Sequence, residues 1–432
     1  MILIYSHTQT PRLTYIARFL FSSILGVPVS LTSDTNEFKN YKFPKINYSS
    51  ETLEGISIYP HNLLFQQGLD TITPEFLTCQ NIPALFPVSQ PSALPFDPFA
   101  AAFFMVTRYE EYKPSFLDHH GRYLPTESIA YKHHFLEIPV VDQWALLLKS
   151  LVQQRYPEFH FPERQYRFVP TIDVDVAYAY KYRNFFRMAG ASLKSLLKGN
   201  FRDNKRRFNT LFLNHPDPYD TFELLRDWHQ RFNLNPRFFF LVGRYGKYDK
   251  NLSPHHKAIQ ELIRQTSERY SVGIHPSYQS NFKSDQVEAE IKTLGNIINK
   301  PIIQSRQHFL MLRFPKTYQH LIKCDIKEDY TMGYAQLPGF RAGTCTPFPF
   351  YDLTTETETA LTVYPFQLMD GTLNQYLKLS PLEAIDCIRR LNNEVRKVSG
   401  TFMSLWHNES LSQMRKWKNW QEVYEALLKI AS

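Results

Sequence analysis

The sequence predicts an α/β protein in which strands and helices alternate along most of the chain. From about residue 166 onward, short runs of β-branched and aromatic residues alternate with longer runs whose apolar residues recur at helical spacing. Polar residues cluster where these predicted strands end. The chain also begins with a predicted strand at 2–5, a helix at 11–25 and a strand at 27–31. Alternation of this kind is typical of parallel sheets covered by helices.

The length and composition indicate two globular domains. At 432 residues the chain is longer than most single domains, and its 43% hydrophobic and 21% charged residues are ordinary for globular proteins. A proline-punctuated stretch at 156–163 separates a mixed first part from a second part with regular strand–helix repeats. We therefore predict domains at 1–160 and 161–432.

Charge and cysteine content constrain the partners and the compartment. The net charge of +8 permits an anionic partner but does not require one, and we expect no nucleic-acid partner. The four cysteines form no CxxC pair, which predicts reduced thiols in the cytoplasm. The first residues lack the pattern of a signal peptide, and no apolar run approaches the length needed to cross a bilayer. The basic stretch at 180–205 could make a peripheral membrane contact, although a solvated helix is the favoured interpretation.

Two carboxylates stand one residue apart after the first strand of the second part. The aromatic and β-branched run at 166–169 predicts a buried strand, and Asp173 and Asp175 come shortly after it. On extended backbone, residues i and i+2 point the same way, so both acids could face one site. Such a pair could hold a cation and still leave one carboxylate free as a base. An acidic turn in which Asp173 acts as a local cap is an equally compatible interpretation.

Later strands also end in side chains that could bind a metal or act on a substrate. These are His275 after the strand at 271–274, Arg306 and His308 after the strand at 302–305, and His407 after the strand at 402–406. In parallel α/β folds the C-terminal ends of the strands form the face where catalytic residues gather. Carboxylate and imidazole ligands with open positions are typical of hydrolytic zinc, cobalt, manganese or nickel sites.

The segment from about residue 166 to 415 resembles the polysaccharide deacetylase family, also called NodB-homology or carbohydrate esterase 4. Residues 171–175, a threonine followed by two acids, resemble its first motif. The resemblance implies that Asp173 is the general base and that Asp175 is a metal ligand. It also implies a distorted, incomplete (β/α) barrel. The part before it, residues 1–160, resembles an uncharacterised α/β domain found ahead of such modules in bacteria.

Three later motifs support the resemblance through their order along the chain. Residues 273–277 resemble the start of the family's metal-binding motif, which implies that His275 is a ligand. Arg306 stands in the place of the arginine motif, and its implied role is to orient the base. Residues 405–408 resemble the last motif, whose histidine, here His407, is implied to act as general acid.

The family resemblance implies a metal-dependent hydrolase that removes an N-acetyl group, or less readily an O-acetyl group, from a glycan or glycan precursor. Zinc is the expected metal, with cobalt, manganese and nickel as alternatives. The implied partner is a carbohydrate, which could be acidic.

One position departs from the family pattern. The metal motif has a second histidine four residues after the first, and here that position is Gln279. An amide is a poor ligand for such a metal. Our candidate for the third ligand is His308, because the strand before it should lie beside the strand that carries His275 and because alternation would place it on the same side as Arg306. A simple hydrogen-bonding role for His308 is the alternative.

Four further residues are expected to bind substrate: Tyr278, Arg341, Trp406 and Asn408. Arg341 lies in the loop at 339–344 and could recognise a carboxylate or phosphate on an acidic glycan. A well-packed loop explains Arg341 equally well.

Two other functions are compatible with the sequence. The Asp-Val-Asp at 173–175 is also a DxD, the arrangement with which glycosyltransferases hold a divalent cation against a nucleotide-sugar diphosphate. That function leaves His275 and His407 unexplained. A catalytically inactive glycan-binding module is the other alternative, and Gln279 favours it.

Overall fold

The computed structural model describes residues 1–183, 185–197, 199 and 201–432. Their contacts divide the chain into two compact units. Unit 1 comprises Met1–Phe168, Leu312–Gln367 and Arg390–Phe402, and unit 2 comprises Val169–Met311, Leu368–Arg389 and Met403–Ser432. Unit 1 therefore contains two segments that lie far beyond the linear boundary expected at residue 160. The division into domains at 1–160 and 161–432 stays a prediction.

The strands, numbered in chain order, are β1 (Ile2–Tyr5), β2 (Val29–Thr32), β3 (Lys45–Asn47), β4 (Ile56–Ser57), β5 (Phe76–Cys79), β6 (Ile82–Leu85), β7 (Arg167–Val174), β8 (Arg237–Phe240), β9 (Ser271–Ile274), β10 (Gln304–Ser305), β11 (Glu328–Asp329), β12 (Phe348–Asp352), β13 (Thr357–Val363), β14 (Leu368–Met369) and β15 (Thr401–His407).

The α-helices are α1 (Pro11–Arg18), α2 (Thr35–Asn40), α3 (Pro98–Val106), α4 (Ile129–Lys132), α5 (Val140–Arg155), α6 (Phe185–Leu197), α7 (Phe201–Phe212), α8 (Phe222–Arg231), α9 (Lys257–Arg269), α10 (Ser284–Ile298), α11 (Lys316–Lys323), α12 (Pro381–Lys397) and α13 (Trp420–Ala431). No helix among the described residues is long and apolar enough to cross a membrane. The basic stretch at 180–205 falls on α6 and α7, and its residues 184, 198 and 200 lie outside the described residues.

Unit 1 contains a parallel sheet of four strands in the order β2-β1-β3-β4. Every residue of β1 is buried, as expected for an apolar central strand of a parallel sheet. The helix that follows begins where the Thr10 side chain accepts a hydrogen bond from the Leu13 backbone, and Pro11 occupies its first turn. It continues as a π-helical stretch over Phe19–Ile24, which accounts for the longer helix predicted at 11–25.

Unit 2 contains the strand order β10-β9-β8-β7-β15-β14, in which β7 to β10 run parallel. One row of paired residues crosses these four strands: Val174, Phe240, Ile274 and Ser305. The residues that follow this row therefore leave the sheet at one edge, and they include Asp175, His275 and Arg306. In open parallel sheets this carboxyl edge is the usual place for ligands.

The mixed α/β class predicted from the sequence is confirmed. Within the described residues the strands do not close into a barrel, because β14 pairs with β15 and ends the strand order. With only two residues, β14 offers little backbone for further pairing.

Candidate active site

Asp175, His275 and His308 form a compact group at the carboxyl edge of the unit 2 sheet. Each residue offers one ligand atom, and these atoms lie within 4.8 Å of one another. Nε2 of His275 lies 3.1 Å from Oδ1 of Asp175, and Nε2 of His308 lies 3.2 Å from Oδ2. Both imidazoles are buried, whereas the Asp175 side chain keeps 22% of its surface exposed. The group is therefore reachable from solvent on the side of Asp175.

The hydrogen bonds behind the two imidazoles determine which ring nitrogen faces the group. Nδ1 of His275 lies 2.6 Å from the Arg306 carbonyl oxygen, and Nδ1 of His308 lies 2.9 Å from Oδ1 of Asp249. Both of these oxygens act as acceptors, so each Nδ1 carries a proton. Nε2 of each ring therefore faces the Asp175 carboxylate, with a lone pair when the ring is neutral and with a proton when it is charged. Histidines that bind a metal are held by partners of this kind.

The charges in the group favour a positive occupant. Burial opposes the charged carboxylate, but the two imidazoles hold the pKa of Asp175 well below its usual range. Burial opposes a charged His308 as well, yet Asp175 and Asp249 together raise the pKa of His308 to about 9. Oδ1 of Asp175 is buried and has no hydrogen-bond partner among the described residues, since the approach of His275 lacks hydrogen-bond geometry. A proton or a cation between these atoms relieves the repulsion between lone pairs.

The donor set fits a divalent transition metal. Two imidazole nitrogens and one carboxylate oxygen suit zinc, cobalt, manganese or nickel, and three protein ligands leave a position open for water or substrate. Asp249, which the sequence did not single out, contributes the carboxylate behind His308 and also accepts the backbone N–H of Tyr278 at 2.8 Å.

His308 reaches the group through a turn rather than along a strand. The strand β10 ends at Ser305, so alternation does not extend to residue 308. A short 3-10 turn, His308–Leu310, follows instead, and Phe309 and Leu310 have φ values of 61° and 54°. The backbone N–H of His308 donates to the Pro276 carbonyl at 3.2 Å, which ties this turn to the loop after β9.

Asp173 lies beside the group and is held by Arg306. Nη1 of Arg306 donates to Oδ1 of Asp173 at 2.9 Å and to Oγ1 of Thr171 at 2.6 Å. The guanidinium also lies over the Phe239 ring, 4.7 Å from its centroid. Oδ2 of Asp173 lies 3.7 Å from Nε2 of His275. Asp173 therefore borders the three potential ligands while Arg306 fixes its orientation.

His407 faces the same group and is held by Asp370. Nδ1 of His407 lies 2.8 Å from Oδ1 of Asp370, and the His407 backbone N–H donates to Oδ2 at 2.8 Å. Nε2 lies 3.8 Å from Oδ2 of Asp175. Burial lowers the pKa of His407, but Asp370 outweighs this effect and raises it to about 10. Asp370 was missed in the sequence, although it follows β14 just as the other polar residues follow their strands.

Tyr278 is half-buried near the group, and Gln279 is exposed. The Tyr278 ring contacts the Tyr248 ring in a tilted arrangement at a centroid distance of 4.3 Å and the Phe309 ring at 5.2 Å. Phe309 in turn contacts the His308 ring at 4.7 Å. These aromatic rings form a flank next to the potential metal ligands. Gln279 begins the 3-10 turn Gln279–Phe282.

The expectation that Trp406 and Asn408 bind substrate needs correction. Trp406 is buried against the Tyr424 ring at 5.1 Å, on the side of β15 opposite to His407. Asn408 is also buried, and its amide donates to the carbonyls of Val176 at 3.1 Å and Tyr219 at 2.9 Å. Both side chains hold the fold around the site and are not available to a ligand.

The expectation for Arg341 also needs correction. Arg341 belongs to unit 1, where it is buried. Its Nε and Nη2 atoms donate to the Glu111 carboxylate at 3.0 and 2.5 Å, and Nη1 donates to the Gly333 carbonyl at 2.9 Å. Glu111 also accepts from Arg108 at 2.8 Å. The guanidinium is therefore used in a buried ion pair and is not presented to a glycan.

A cavity of about 840 Å³ opens in unit 2 and is lined in part by Ser277 and Glu290. Glu290 accepts hydrogen bonds from the Ser277 backbone at 2.8 Å and from its hydroxyl at 2.6 Å. Burial raises the pKa of Glu290 to about 7. Gln279 and Arg244 also line this cavity, which gives it a polar character.

The comparison with family models matches residues 2–157 to a family of unknown function, DUF7033. The match covers the N-terminal region only. The comparison with curated protein sequences found no match.

Several solved structures resemble part of this chain. A Mycobacterium smegmatis protein assigned as a polysaccharide deacetylase has a TM-score of 0.39 and 14% identity, and the match covers 62% of this chain and 85% of that one. A mutant of a CE4 family pseudoenzyme with restored enzymatic activity has a TM-score of 0.29 and 9% identity, with coverage of 60% and 63%. A GH57 branching enzyme from Thermococcus kodakaraensis has a TM-score of 0.33 and 9% identity, with coverage of 61% and 68%. Scores this low carry no argument about function.

Proposed function

We propose that this protein is a metal-dependent hydrolase that removes an N-acetyl group from a glycan or glycan precursor. The observation that carries the proposal is the group of Asp175, His275 and His308, whose ligand atoms lie within 4.8 Å of one another. The order of motifs along 166–415 supplies the reaction class and the carbohydrate substrate. The distorted barrel that accompanies this resemblance belongs to the proposal as well.

Asp175, His275 and His308 would hold the metal, with zinc as the first choice and cobalt, manganese or nickel as alternatives. When bound, such an ion supplies a Lewis acid that lowers the pKa of water and polarises a carbonyl. Asp249 and the Arg306 carbonyl keep the two Nε2 lone pairs directed at the site.

Asp173 is the proposed general base. Oδ1 of Asp173 accepts a hydrogen bond from the Arg306 guanidinium, and Oδ2 of Asp173 remains directed toward the site. Asp173 would accept a proton from the water that attacks the acetyl carbonyl. Water forms the new C–O bond and the C–N bond to the sugar amine breaks, so no covalent enzyme intermediate is needed.

His407 is the proposed general acid. A protonated His407 would donate the proton on Nε2 to the departing amine, because Nδ1 is already engaged by Asp370. An amine is a poor leaving group without a proton, so this role matters more for an N-acetyl than for an O-acetyl substrate. The raised pKa of His407 keeps the proton available at neutral pH.

The half-buried ring of Tyr278, with Tyr248 and Phe309 beside it, is the proposed contact for a sugar ring. Aromatic faces bury the apolar face of a pyranose while its hydroxyls stay hydrated. With Arg341 buried elsewhere, no observation favours an acidic over a neutral glycan. A cytoplasmic location stays a prediction.

No observation favours the glycosyltransferase alternative. A DxD pair binds its cation through carboxylates, whereas here two imidazoles face Asp175. The inactive-module alternative rested on Gln279, and His308 offers an imidazole in place of the one that Gln279 lacks.

The test is acetate release from a panel of N-acetylated and O-acetylated oligosaccharides by the purified full chain. We expect release that a chelator abolishes and added zinc restores, with Asp173→Asn as the inactive control. Metal-independent release, or equal release by Asp173→Asn, would contradict the mechanism. Saturable binding of acetylated oligosaccharides without any release would favour the inactive module.

A further inference from the structure

The helices α6 and α7 of unit 2 expose an unusual number of large apolar side chains. Of 19 large hydrophobic residues that are exposed in the described part of the chain, nine lie between 182 and 213. Leu197 is 81% exposed, Phe212 70% and Phe201 68%. The others are Tyr182, Leu193, Leu196, Phe208, Leu211 and Leu213. Exposed apolar side chains concentrated in one segment indicate an interaction site, whereas singly scattered ones are normal.

The two helices form a hairpin whose inner and outer sides differ in character. The Asn204 amide donates to the Ser192 carbonyl at 3.2 Å, and Arg207 donates to the Ser192 hydroxyl at 2.7 Å, so α7 lies along α6. In α7 the buried residues are Asp203, Arg207 and Thr210. At 100° per residue, the opposite side of α7 carries Phe201, Phe208 and Phe212.

The formal net charge of the segment 181–213 equals that of the whole protein, +8. Residues 181–213 contain nine of the 49 lysines and arginines and one of the 41 aspartates and glutamates, which leaves forty of each in the rest of the chain. The one acid, Asp203, lies 3.2 Å from Arg207 and 3.0 Å from Arg415. The neighbouring acid Asp217 is buried and accepts backbone N–H groups from Ala179, Tyr180 and Lys181. Asp203 is already counted in the net charge of +8 of this segment, and Asp217 lies outside it.

Exposed cations stand among the exposed apolar residues of α7. Arg202, Lys205 and Arg206 are exposed on the same helix as Phe201 and Phe208. Long basic side chains can lay their stems along an apolar surface and keep the charge at its rim. This mixture is typical of helices that lie in the interface of an anionic bilayer. A second copy of the chain would meet the same positive charge and be repelled.

We infer that the α6–α7 hairpin docks on an anionic membrane surface. Leu197 at the end of α6 and Phe201 at the start of α7 insert their side chains below the lipid headgroups. Arg202, Lys205 and Arg206 contact the anionic headgroups. Two weak contributions of different kind, apolar insertion and charge, together give stable but reversible attachment. The inference does not depend on the metal site or on hydrolase activity.

The test uses the purified full chain and vesicles of phosphatidylcholine alone or mixed with phosphatidylglycerol. We expect sedimentation with the mixed vesicles at an affinity at least about tenfold higher than with phosphatidylcholine, and a loss of binding as salt rises. The double variant Leu197→Asp/Phe201→Asp should lose at least about tenfold in affinity. The triple variant Arg202→Ser/Lys205→Ser/Arg206→Ser should lose the preference for anionic vesicles.

Leu382→Asp is the matched control, because Leu382 is 76% exposed on α12 of the same unit and lies outside the hairpin. It should bind vesicles like the natural chain, and circular dichroism should show all variants folded. Absence of vesicle binding, or an equal loss in Leu382→Asp, would overturn the inference. Sedimentation velocity showing a dimer that Leu197→Asp/Phe201→Asp disrupts, or binding to duplex DNA in the absence of vesicle binding, would overturn it as well.

Discussion

The Nε2 atom of His308 lies 3.2 Å from Oδ2 of Asp175, and Asp249 holds the other nitrogen of the same ring. This arrangement gives the site a second imidazole although Gln279 stands where the resembling family has its second histidine. The neighbouring turn and the backbone hydrogen bond to Pro276 determine the position of His308.

Asp173 and Asp175 should have separable effects. Asp175→Asn should lower zinc affinity about 10- to 100-fold or more, since Asp175 lies between both imidazoles. Asp173→Asn should keep the metal and lose about 10² to 10⁴ in kcat, since a base is removed while the three potential ligands remain. Metal content and acetate release are measured on the same samples. Equal metal loss in both variants would contradict the assignment.

Asp370→Asn should reduce kcat by about 10² to 10⁴ without changing metal content. An uncharged amide in place of the Asp370 carboxylate would not raise the pKa of His407, so His407 would lose its proton at a lower pH. Because a general acid works only below its pKa, the alkaline limb of the pH–rate profile should move to lower pH. A uniform loss of rate at every pH, with no movement of that limb, would indicate that Asp370 is only structural.

The existence and order of these strands could be predicted from the sequence because their apolar and β-branched runs stand out, although β7 ends at Val174 instead of 169 and therefore includes Asp173. The runs that became β7, β8, β9 and β15 therefore brought Asp173, Asp175, His275 and His407 to one edge. Asp370 and Asp249 could not be found this way. Asp370 follows a strand of only two residues, and Asp249 lies in a loop without regular structure.

Side-chain direction near strand ends was harder to predict than position along the chain. Trp406 and Asn408 flank His407 in sequence, yet both are buried because neighbouring residues on an extended chain point to opposite sides. Arg341 was misjudged for another reason. Its partner Glu111 is distant in sequence, so nothing local shows that the guanidinium is already paired.

Arg341→Met should destabilise the protein and leave catalysis by the folded enzyme unchanged. Without this guanidinium, the buried Glu111 has Arg108 as its remaining cationic partner. The free energy of unfolding should therefore decrease by about 3 kcal/mol. Arg389→Met is the matched control, since its pair with Asp386 is exposed and should be worth less than about 0.5 kcal/mol. Denaturant unfolding measures both. A raised KM for acidic glycans with unchanged stability would return Arg341 to substrate binding.

His229 should make the protein less stable in acid. Its Nε2 atom lies 2.7 Å from the Tyr424 hydroxyl, and burial lowers the pKa of His229 to about 3. Below about pH 6.5 the unfolded chain takes up a proton that the folded chain does not. The free energy of unfolding therefore decreases as the pH is lowered, by about 2 kcal/mol from pH 6.5 to pH 5.

Denaturant unfolding at pH 7, 6 and 5 measures this loss. His229→Gln should show a smaller loss of stability between pH 6.5 and 5, whereas the exposed His255→Gln should behave like the natural chain. An unchanged pH dependence in His229→Gln would show that His229 is not the group responsible.

Zinc binding by the natural chain, His308→Ala and Gln279→Ala tests the central claim most directly. Equilibrium dialysis followed by mass spectrometry of the metal should find one zinc per chain in the natural protein. His308→Ala should lower zinc affinity at least about 100-fold, because an imidazole ligand is lost. Gln279→Ala should bind like the natural chain, because Gln279 is exposed and an amide is a poor ligand for zinc. Unchanged affinity in His308→Ala, or a loss in Gln279→Ala instead, would contradict the Asp175–His275–His308 centre.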